Sequence, residues 1–374
     1  MSAPENVWAD PAPPAGHAPS MRGLWRAAAV ERLSHALLFS GPRGIGKFTA
    51  ARWFVRGLFC ARLDEGGEAQ PCGSCPPCKR LAAPGGHPDL FVIEPILTGS
   101  DGSEQLRLKR FVPVPNERVP NAEEFLKLKP VEGGWRVVLV REMERANREA
   151  QNAILKMLEE PGEDVLWVLE CSRPGALLPT IRSRCVPVLF DPLSSSETRS
   201  VLQGCGLGAG DAAALARWSR GSPGVALSLQ SCGAIEIREL LRELLCGERA
   251  AFGSDPAAHR VWELEGTFVA KTTTGVQRAR ARFVLDLALA LVRDMLSADA
   301  GLDPEVLPHG DLVAGLLTVP GGAPRMRHML DTLLEARRDI DSNVNPVSVL
   351  DLAFLALDPP AAQDAGRRAV GAAR

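Results

Sequence analysis

The stretch Gly41-Pro-Arg-Gly-Ile-Gly-Lys47-Phe48 fits a phosphate-binding loop, G-x-x-x-x-G-K-[ST], at every position but the last. Gly41, Gly44 and Gly46 would let backbone N–H groups close around phosphate oxygens at a helix N-terminus, and Lys47 would reach the outer phosphates. Phe48 stands where a hydroxyl would hold magnesium, and a phenyl ring has no oxygen to offer. Thr49 carries a hydroxyl one position late, and one residue along a helix turns a side chain by about 100°.

Hydrolysis by such a loop needs a second part: an Asp at the end of a buried strand to help hold magnesium, followed by a Glu that orients water. After the apolar run Val137–Val140 the chain reads Arg141-Glu142. Glu142 is a candidate for the water-orienting carboxylate, but Arg141 stands where the metal-holding Asp belongs, and a cation there opposes magnesium. Losing both metal-holding positions argues against hydrolysis. Two readings of the loop stay open: a structural strand-to-helix turn, or metal-independent or weak nucleotide binding. Ile181-Arg182-Ser183-Arg184-Cys185 carries guanidinium groups that could neutralise charge on a γ-phosphate, including one bound by a neighbouring subunit. By itself an Arg-Ser-Arg sequence reads as a solvated surface pair.

Four of the nine cysteines, Cys60, Cys72, Cys75 and Cys78, supply the four thiolates that close a tetrahedral structural zinc site. Gly73, Pro76 and Pro77 provide the turns that let neighbouring sulfurs wrap one ion. A catalytic zinc would need an open position, usually with a nitrogen or carboxylate ligand, so the spacing predicts a structural ion. Cys171, Cys185, Cys205, Cys232 and Cys246 are scattered and read as space-filling groups.

These residues need a scaffold. The apolar runs Ala36–Phe39, Leu90–Ile93, Val137–Val140, Val165–Leu169 and Val186–Phe190 read as buried strands, the last demoted to a strand end or edge by Pro187. Helical patterns alternate with them: one from Lys47 to about Phe59, and one N-capped by Asn147 that runs through Ile154 and Leu158 to Pro161. Such alternation predicts an α/β domain with a parallel sheet covered on both faces, spanning residues 21–190. Residues 1–20 read as a loose Pro/Ala-rich arm, and 95–134 as an irregular insertion with one short helix near Glu123–Leu128. Residues 191–232 read as a small helical unit, 233–357 as a helical domain, and 358–374 as a tail. At 45% hydrophobic and 24% charged residues with net charge −2, the chain is ordinary for a globular protein and has no global attraction to nucleic acid. No apolar run reaches membrane-spanning length and the N-terminus lacks signal-peptide character, so the expected compartment is the cytoplasm.

Several segments together resemble one family. They are Arg32-Leu-Ser-His35-Ala-Leu-Leu-Phe39, the Gly-rich loop, the four cysteines, Gly86-His87-Pro88-Asp89, Asn152-Ala-Ile-Leu-Lys156-Met-Leu-Glu159-Glu160-Pro161, Ser183-Arg184-Cys185 and Gly221-Ser-Pro-Gly224. The chain resembles the delta-prime subunits of the bacterial DNA polymerase III clamp loader, which are AAA+ proteins, over about residues 21–232. The resemblance implies an AAA+ module with a zinc-binding insertion, a helical lid at 191–232 and an all-helical collar at 233–357 for ring assembly. It implies partners: the ATP-hydrolysing gamma/tau subunits, the delta subunit, and within the complex a sliding clamp and primed DNA. It implies a non-hydrolysing stator within a DNA polymerase holoenzyme, in which Arg184 is an arginine finger for the ATP of a neighbouring subunit. Gly224 and Cys171-Ser172 stand where active relatives carry a sensing arginine and threonines. The runner-up is an active gamma/tau-like clamp-loader ATPase, with Thr49 or water replacing the lost hydroxyl and Glu142 sufficing. A zinc-bearing DNA-binding regulator is a third reading, weakened because no basic recognition helix adjoins the cysteines.

Overall fold

The computed structural model describes residues 13–63, 70–83, 86–97, 104–115, 117–132, 134–251, 257–268, 270, 272–316, 321–342 and 344–358. They form two compact units, one built from 13–97, 104–204 and 221–225, the other from 205–220 and 226–358.

The first unit begins with α1 (Ala18–Ala29), followed by β1 (Ala36–Ser40), α2 (Lys47–Phe59), α3 (Pro76–Ala82), β2 (Leu90–Ile93), β3 (Ile96–Leu97), β4 (Glu104–Gln105) and α4 (Ala122–Leu126). It continues through β5 (Arg136–Val140), α5 (Arg148–Glu159), β6 (Val165–Cys171), α6 (Pro179–Arg182), β7 (Val186–Leu189) and α7 (Ser195–Gly204). Five strands make one parallel sheet in the order β2-β5-β6-β1-β7. Because side chains alternate along a strand, the apolar runs serve both faces. Leu38, Val138, Val140, Trp167 and Leu169 pack against Ala150, Ile154 and Leu158 of α5. Leu37, Phe39, Val137, Leu139 and Val168 pack against Ala50, Ala51 and Phe54 of α2 and Met21 and Trp25 of α1. Strand β7, bearing Pro187, lies at the sheet edge, with Val186 and Leu189 exposed. Asn147 caps α5, its Oδ1 accepting from the Ala150 N–H at 2.9 Å.

Two sequence expectations need correction here. The loose arm was expected to reach residue 20, yet α1 begins at Ala18, and His17 is buried edge-on against Phe190. Trp25 holds this helix down by donating from Nε1 to the Phe54 carbonyl at 2.8 Å, over the bare backbone of Gly57. Residues 1–12 of that arm lie outside the described residues. The 95–134 segment is not a mere excursion either. Its Leu106, Phe111 and Ala122 are buried in the core on the α5 side of the sheet.

The second unit contains α8 (Ala209–Trp218), most of α9 (Pro223–Ser231), α10 (Ala234–Cys246), α11 (Ala257–Glu263), α12 (Thr273–Asp299), α13 (Gly310–Leu316), α14 (Gly322–Asp341) and α15 (Pro346–Leu357). The segment 191–232, read as one lid, therefore contributes to both units. The reason is visible at α8: Trp218 stacks near His309 and under the guanidinium of Arg238, which pairs with Asp311 at 2.6 Å. Asp358 was read as the start of the tail, but its buried carboxylate accepts from the Ala251 N–H. The rest of that tail, 359–374, lies outside the described residues. Among the described residues, no helix is long and apolar enough to cross a membrane.

The Gly86–Asp89 turn anchors the cysteine-bearing region to the sheet. Asp89 is fully buried and accepts from the N–H groups of Val131 (2.8 Å) and Glu132 (3.0 Å) and from Arg136 Nη1 (3.2 Å). His87 stacks on Phe59, centroids 4.1 Å apart, and its Nε2 lies 3.2 Å from Glu132 Oε2. We expect Asp89→Ala to strand the buried Arg136 charge and lower the unfolding free energy by about 3–5 kcal/mol. Urea denaturation monitored by tryptophan fluorescence measures it, and a loss under 1 kcal/mol would contradict this account (a threshold set roughly at a surface ion pair).

Candidate functional site

The Gly-rich loop leaves the end of β1 and enters α2 through Gly46, whose φ of 96° lies in the left-handed region. Gly44, at φ 77°, has the protein directly against it: a Cβ there would lie 2.6 Å from the Val225 nitrogen. The Gly224 N–H donates to the Gly44 carbonyl at 2.7 Å. The loop that would wrap a phosphate is thus bonded to the Gly221–Gly224 turn.

Lys47 is turned inward. Its side chain is 1% exposed, and its Nζ donates to Gly41 O (3.0 Å), Pro42 O (2.8 Å) and Ser172 Oγ (2.9 Å). An ammonium has three donors, and all three are used. Glu170 Oε1 lies 3.7 Å away, too far for a hydrogen bond but close enough for charge attraction. Burial pushes the Lys47 pKa down and the Glu170 pKa up, each opposed by the partner's charge. Glu170 was missed as a contributor to this site, whereas the sequence reads Ser172 only as standing where active relatives carry a sensor threonine. The available signal was a lone carboxylate, Glu170, inside the apolar run of β6.

The two positions expected to hold magnesium meet in space. Phe48 lies beside both Arg141, whose guanidinium carbon is 5.0 Å from the ring centroid, and Arg52, at 5.5 Å. Two guanidinium groups against one aromatic ring form an apolar and cationic surface. Arg141 also donates to Glu94 Oε1 at 3.2 Å. Thr49 is exposed on α2. Glu142 adopts a left-handed backbone, φ 49°, and its carboxylate accepts from Arg145 Nε. Nearby, Glu144 accepts from the Ser172 N–H at 3.0 Å. Glu142, Glu144 and the Ser172 hydroxyl thus have protein partners, while Glu144 Oε2 and Glu170 Oε2 are buried without a hydrogen-bond partner.

Arg184 follows α6 and precedes β7. Its Nη1 donates to the Thr180 carbonyl at 2.9 Å, and its Nη2 pairs with Glu159 Oε1 of α5 at 2.6 Å, with a third of the side chain exposed. Cys185 beside it is buried, which pushes its thiol up to about 12 and leaves it a packing group.

The four cysteines converge. Cys60 ends α2, Cys75 caps α3 and Cys78 lies on α3, where Pro76 and Pro77 fill the positions that need no N–H donor. All four sulfurs lie within 4.8 Å of one another, with Cys60 and Cys75 Sγ 4.0 Å apart. A tetrahedral ion bonded at about 2.3 Å to each sulfur needs them roughly 3.8 Å apart. Backbone N–H groups donate to the sulfurs, Cys72 N to Cys60 Sγ at 3.3 Å and Cys75 N to Cys72 Sγ at 3.4 Å. Burial pushes the metal-free Cys60 thiol up to about 12, whereas N–H groups of Ser74 and Cys75 hold Cys72 down to about 6. The cluster can bind a metal ion through sulfur alone.

Comparison with known proteins places the first unit. Residues 16–194 match the family described as DNA polymerase III, delta subunit. The DNA polymerase III subunit delta' of Bacillus subtilis is 36% identical over 46% of this chain and 47% of its own length. That of Pseudomonas aeruginosa is 38% identical over 45% and 47%. The gamma/tau subunit of Mycobacterium tuberculosis is 35% identical over 46% of this chain and 27% of its own. The chain spans about half the length of the delta' relatives it matches. Residues 16–194, which carry the parallel sheet, the Gly-rich loop and the cysteine cluster, are thus similar to the DNA polymerase III delta-subunit family.

Proposed function

We propose that this chain is a clamp-loader subunit of the delta-prime type. In this reading it is a non-hydrolysing AAA+ stator in a cytoplasmic hetero-oligomer with gamma/tau and delta subunits, which places a sliding clamp on primed DNA. The observation that carries the reading is the closed loop. Gly44 is bonded to Gly224, and Lys47 spends its three donors on Gly41, Pro42 and Ser172. Phe48 lies beside the guanidinium groups of Arg52 and Arg141. A phosphate would have to displace the lysine from three neutral acceptors, without a metal to share its charge.

Arg184 is the group left to act on a nucleotide. It is anchored at both ends of its guanidinium yet one-third exposed, so in this role it would reach the γ-phosphate held by an adjacent gamma/tau subunit. The lid and collar roles of 191–232 and 233–357 belong to the same proposal. The metal of the cysteine cluster is taken as zinc, because four thiolates in a closed tetrahedron suit that ion and leave no open position for catalysis. When bound, zinc supplies a cross-link between the end of α2 and α3.

A second reading, an active gamma/tau-like ATPase, draws on the 35% identity to a gamma/tau subunit. It requires Lys47 to leave its buried bonds and Thr49 or Glu142 to serve the metal. We expect no magnesium-dependent ATP turnover by the isolated chain, and none after Phe48→Thr, because Lys47 keeps its three inward bonds and Arg141 still stands at the metal-holding position. Turnover that disappears in Lys47→Ala would favour the second reading. In a complex reconstituted with gamma/tau and delta, Arg184→Ala is expected to slow ATP turnover by about 10³-fold or more with assembly intact. An unchanged rate removes the finger role. Metal analysis of the purified chain should find about one zinc, lost on Cys75→Ser and Cys78→Ser. Absence of bound zinc at micromolar supply counts against the cluster as its site.

A further inference from the structure

Two separate parts of the first unit hold Arg184. Its backbone lies in the segment around α6, which is fixed without help from the guanidinium. Gln151 of α5 donates from Nε2 to the Ala176 carbonyl at 3.3 Å, and its Oε1 accepts from the Leu178 N–H at 2.9 Å. Ile181 is fully buried in the core on the α5 side of the sheet, and its carbonyl accepts from the Arg184 N–H at 3.1 Å. The tip of the side chain is held elsewhere, Nη1 by the Thr180 carbonyl and Nη2 by Glu159 Oε1. The first of these is backbone of the arginine's own turn. The second is a side chain from another helix.

Helix energetics alone do not favour Glu159 where it stands. It is the last residue of α5, and a second carboxylate, Glu160, is the C-cap. The last turn of a helix carries the negative end of its dipole, which favours a cation and opposes a carboxylate. Arg184 brings that cation from outside the helix, to 2.6 Å from Glu159 Oε1. Side-chain exposures of 33% for Arg184 and 48% for Glu159 leave the pair partly in water, where it adds little to stability. What the pair does set is direction. A free arginine side chain has large rotamer freedom, and contacts at both terminal nitrogens remove much of it before a ligand arrives. A guanidinium has five N–H donors, so two contacts leave others for an anion.

We propose that Glu159 is a positioning residue for Arg184: its carboxylate fixes the plane and reach of the guanidinium, so that the group meets an anion held by an adjacent subunit without reorganising. This role rests on the arginine-finger reading of Arg184. A carboxylate beside a cation also subtracts from its attraction for phosphate, and the two effects oppose one another. Water and salt screen the charge of a half-exposed carboxylate, whereas displacing a reacting group by about 1 Å costs on the order of 10²-fold. Orientation therefore outweighs the lost attraction.

The test uses the full chain reconstituted with gamma/tau and delta subunits, as wild type, Glu159→Ala, Glu159→Gln, Arg184→Ala and the double variant Glu159→Ala with Arg184→Ala. Size-exclusion chromatography checks assembly, and steady-state ATP turnover is the readout. Glu159→Ala is expected to lower kcat by about 10–100-fold, less than deleting the finger itself, with KM for ATP unchanged. Glu159→Gln keeps an acceptor oxygen at the same reach and should recover most of the rate. In the Arg184→Ala background the alanine at 159 should change the rate by less than about twofold, because there is nothing left to position. Wild-type or faster turnover by an assembled Glu159→Ala complex, alongside a slow Arg184→Ala, overturns the proposal and leaves the finger standing. A glutamine variant as slow as the alanine one, or a further loss in the Arg184→Ala background, also overturns it. If Glu159→Ala does not assemble, Glu159→Asp decides, since it keeps the charge but withdraws the oxygens by about 1.5 Å: several-fold slower turnover supports the positioning role, and a wild-type rate overturns it. An Arg184→Ala complex that turns over at the wild-type rate removes the finger reading and this proposal together.

Discussion

A buried ammonium must be solvated by protein, and the way Lys47 is solvated organises the first unit. Its bonds to Gly41, Pro42 and Ser172 tie the loop after β1 to the residue after β6, 125 positions away. Glu170 supplies the nearby counter-charge from within the sheet. The loop's curvature, the start of α2 and the adjacency of β1 and β6 are therefore mutually dependent. A lysine reaching outward to a ligand would leave the two loop carbonyls and the Ser172 hydroxyl without this shared donor.

That same arrangement separates the chemical functions in space. The Gly-rich loop is bonded inward, against Gly224, and its flank is lined by Phe48, Arg52 and Arg141. Arg184 lies outside this network, held by Thr180 and Glu159 on the side of α5. The cysteine cluster sits at the opposite end of α2 from the loop. One helix thus has a phosphate-type loop at its start and a metal-type cluster at its end. In the proposed stator, rigidity of that helix is an asset, since it needs no opening for a nucleotide.

Much of the candidate site was legible in the sequence, because its signals are local. Glycine spacing, four close cysteines and a phenylalanine in place of a hydroxyl are read without knowing the fold. The five sheet strands were legible for a related reason: strands buried on both faces are short apolar runs, and each observed strand begins within a residue of its run. Helix caps such as Asn147 depend on a few neighbouring residues. The Pro/Ala-rich composition near the N-terminus misled, because Pro19 is well placed in the first turn of a helix and Met21 and Trp25 bury themselves only once α2 is present. The 95–134 segment misled for a similar reason, its Leu106 and Phe111 being isolated apolar residues whose partners lie across the sheet.

The sequence by itself determined the kinds of groups available: a phosphate-type loop without metal-holding oxygens, a tetrathiol set, and an arginine before the last strand. Tertiary structure alone decided what those groups touch. It turned Lys47 toward Ser172 rather than outward, and set Gly224 on Gly44. It also paired Arg184 with Glu159. The physical reason is that motif spacing constrains only a few bonded neighbours. The orientation of a charged side chain follows from which distant acceptors and carboxylates the packed sheet brings within reach.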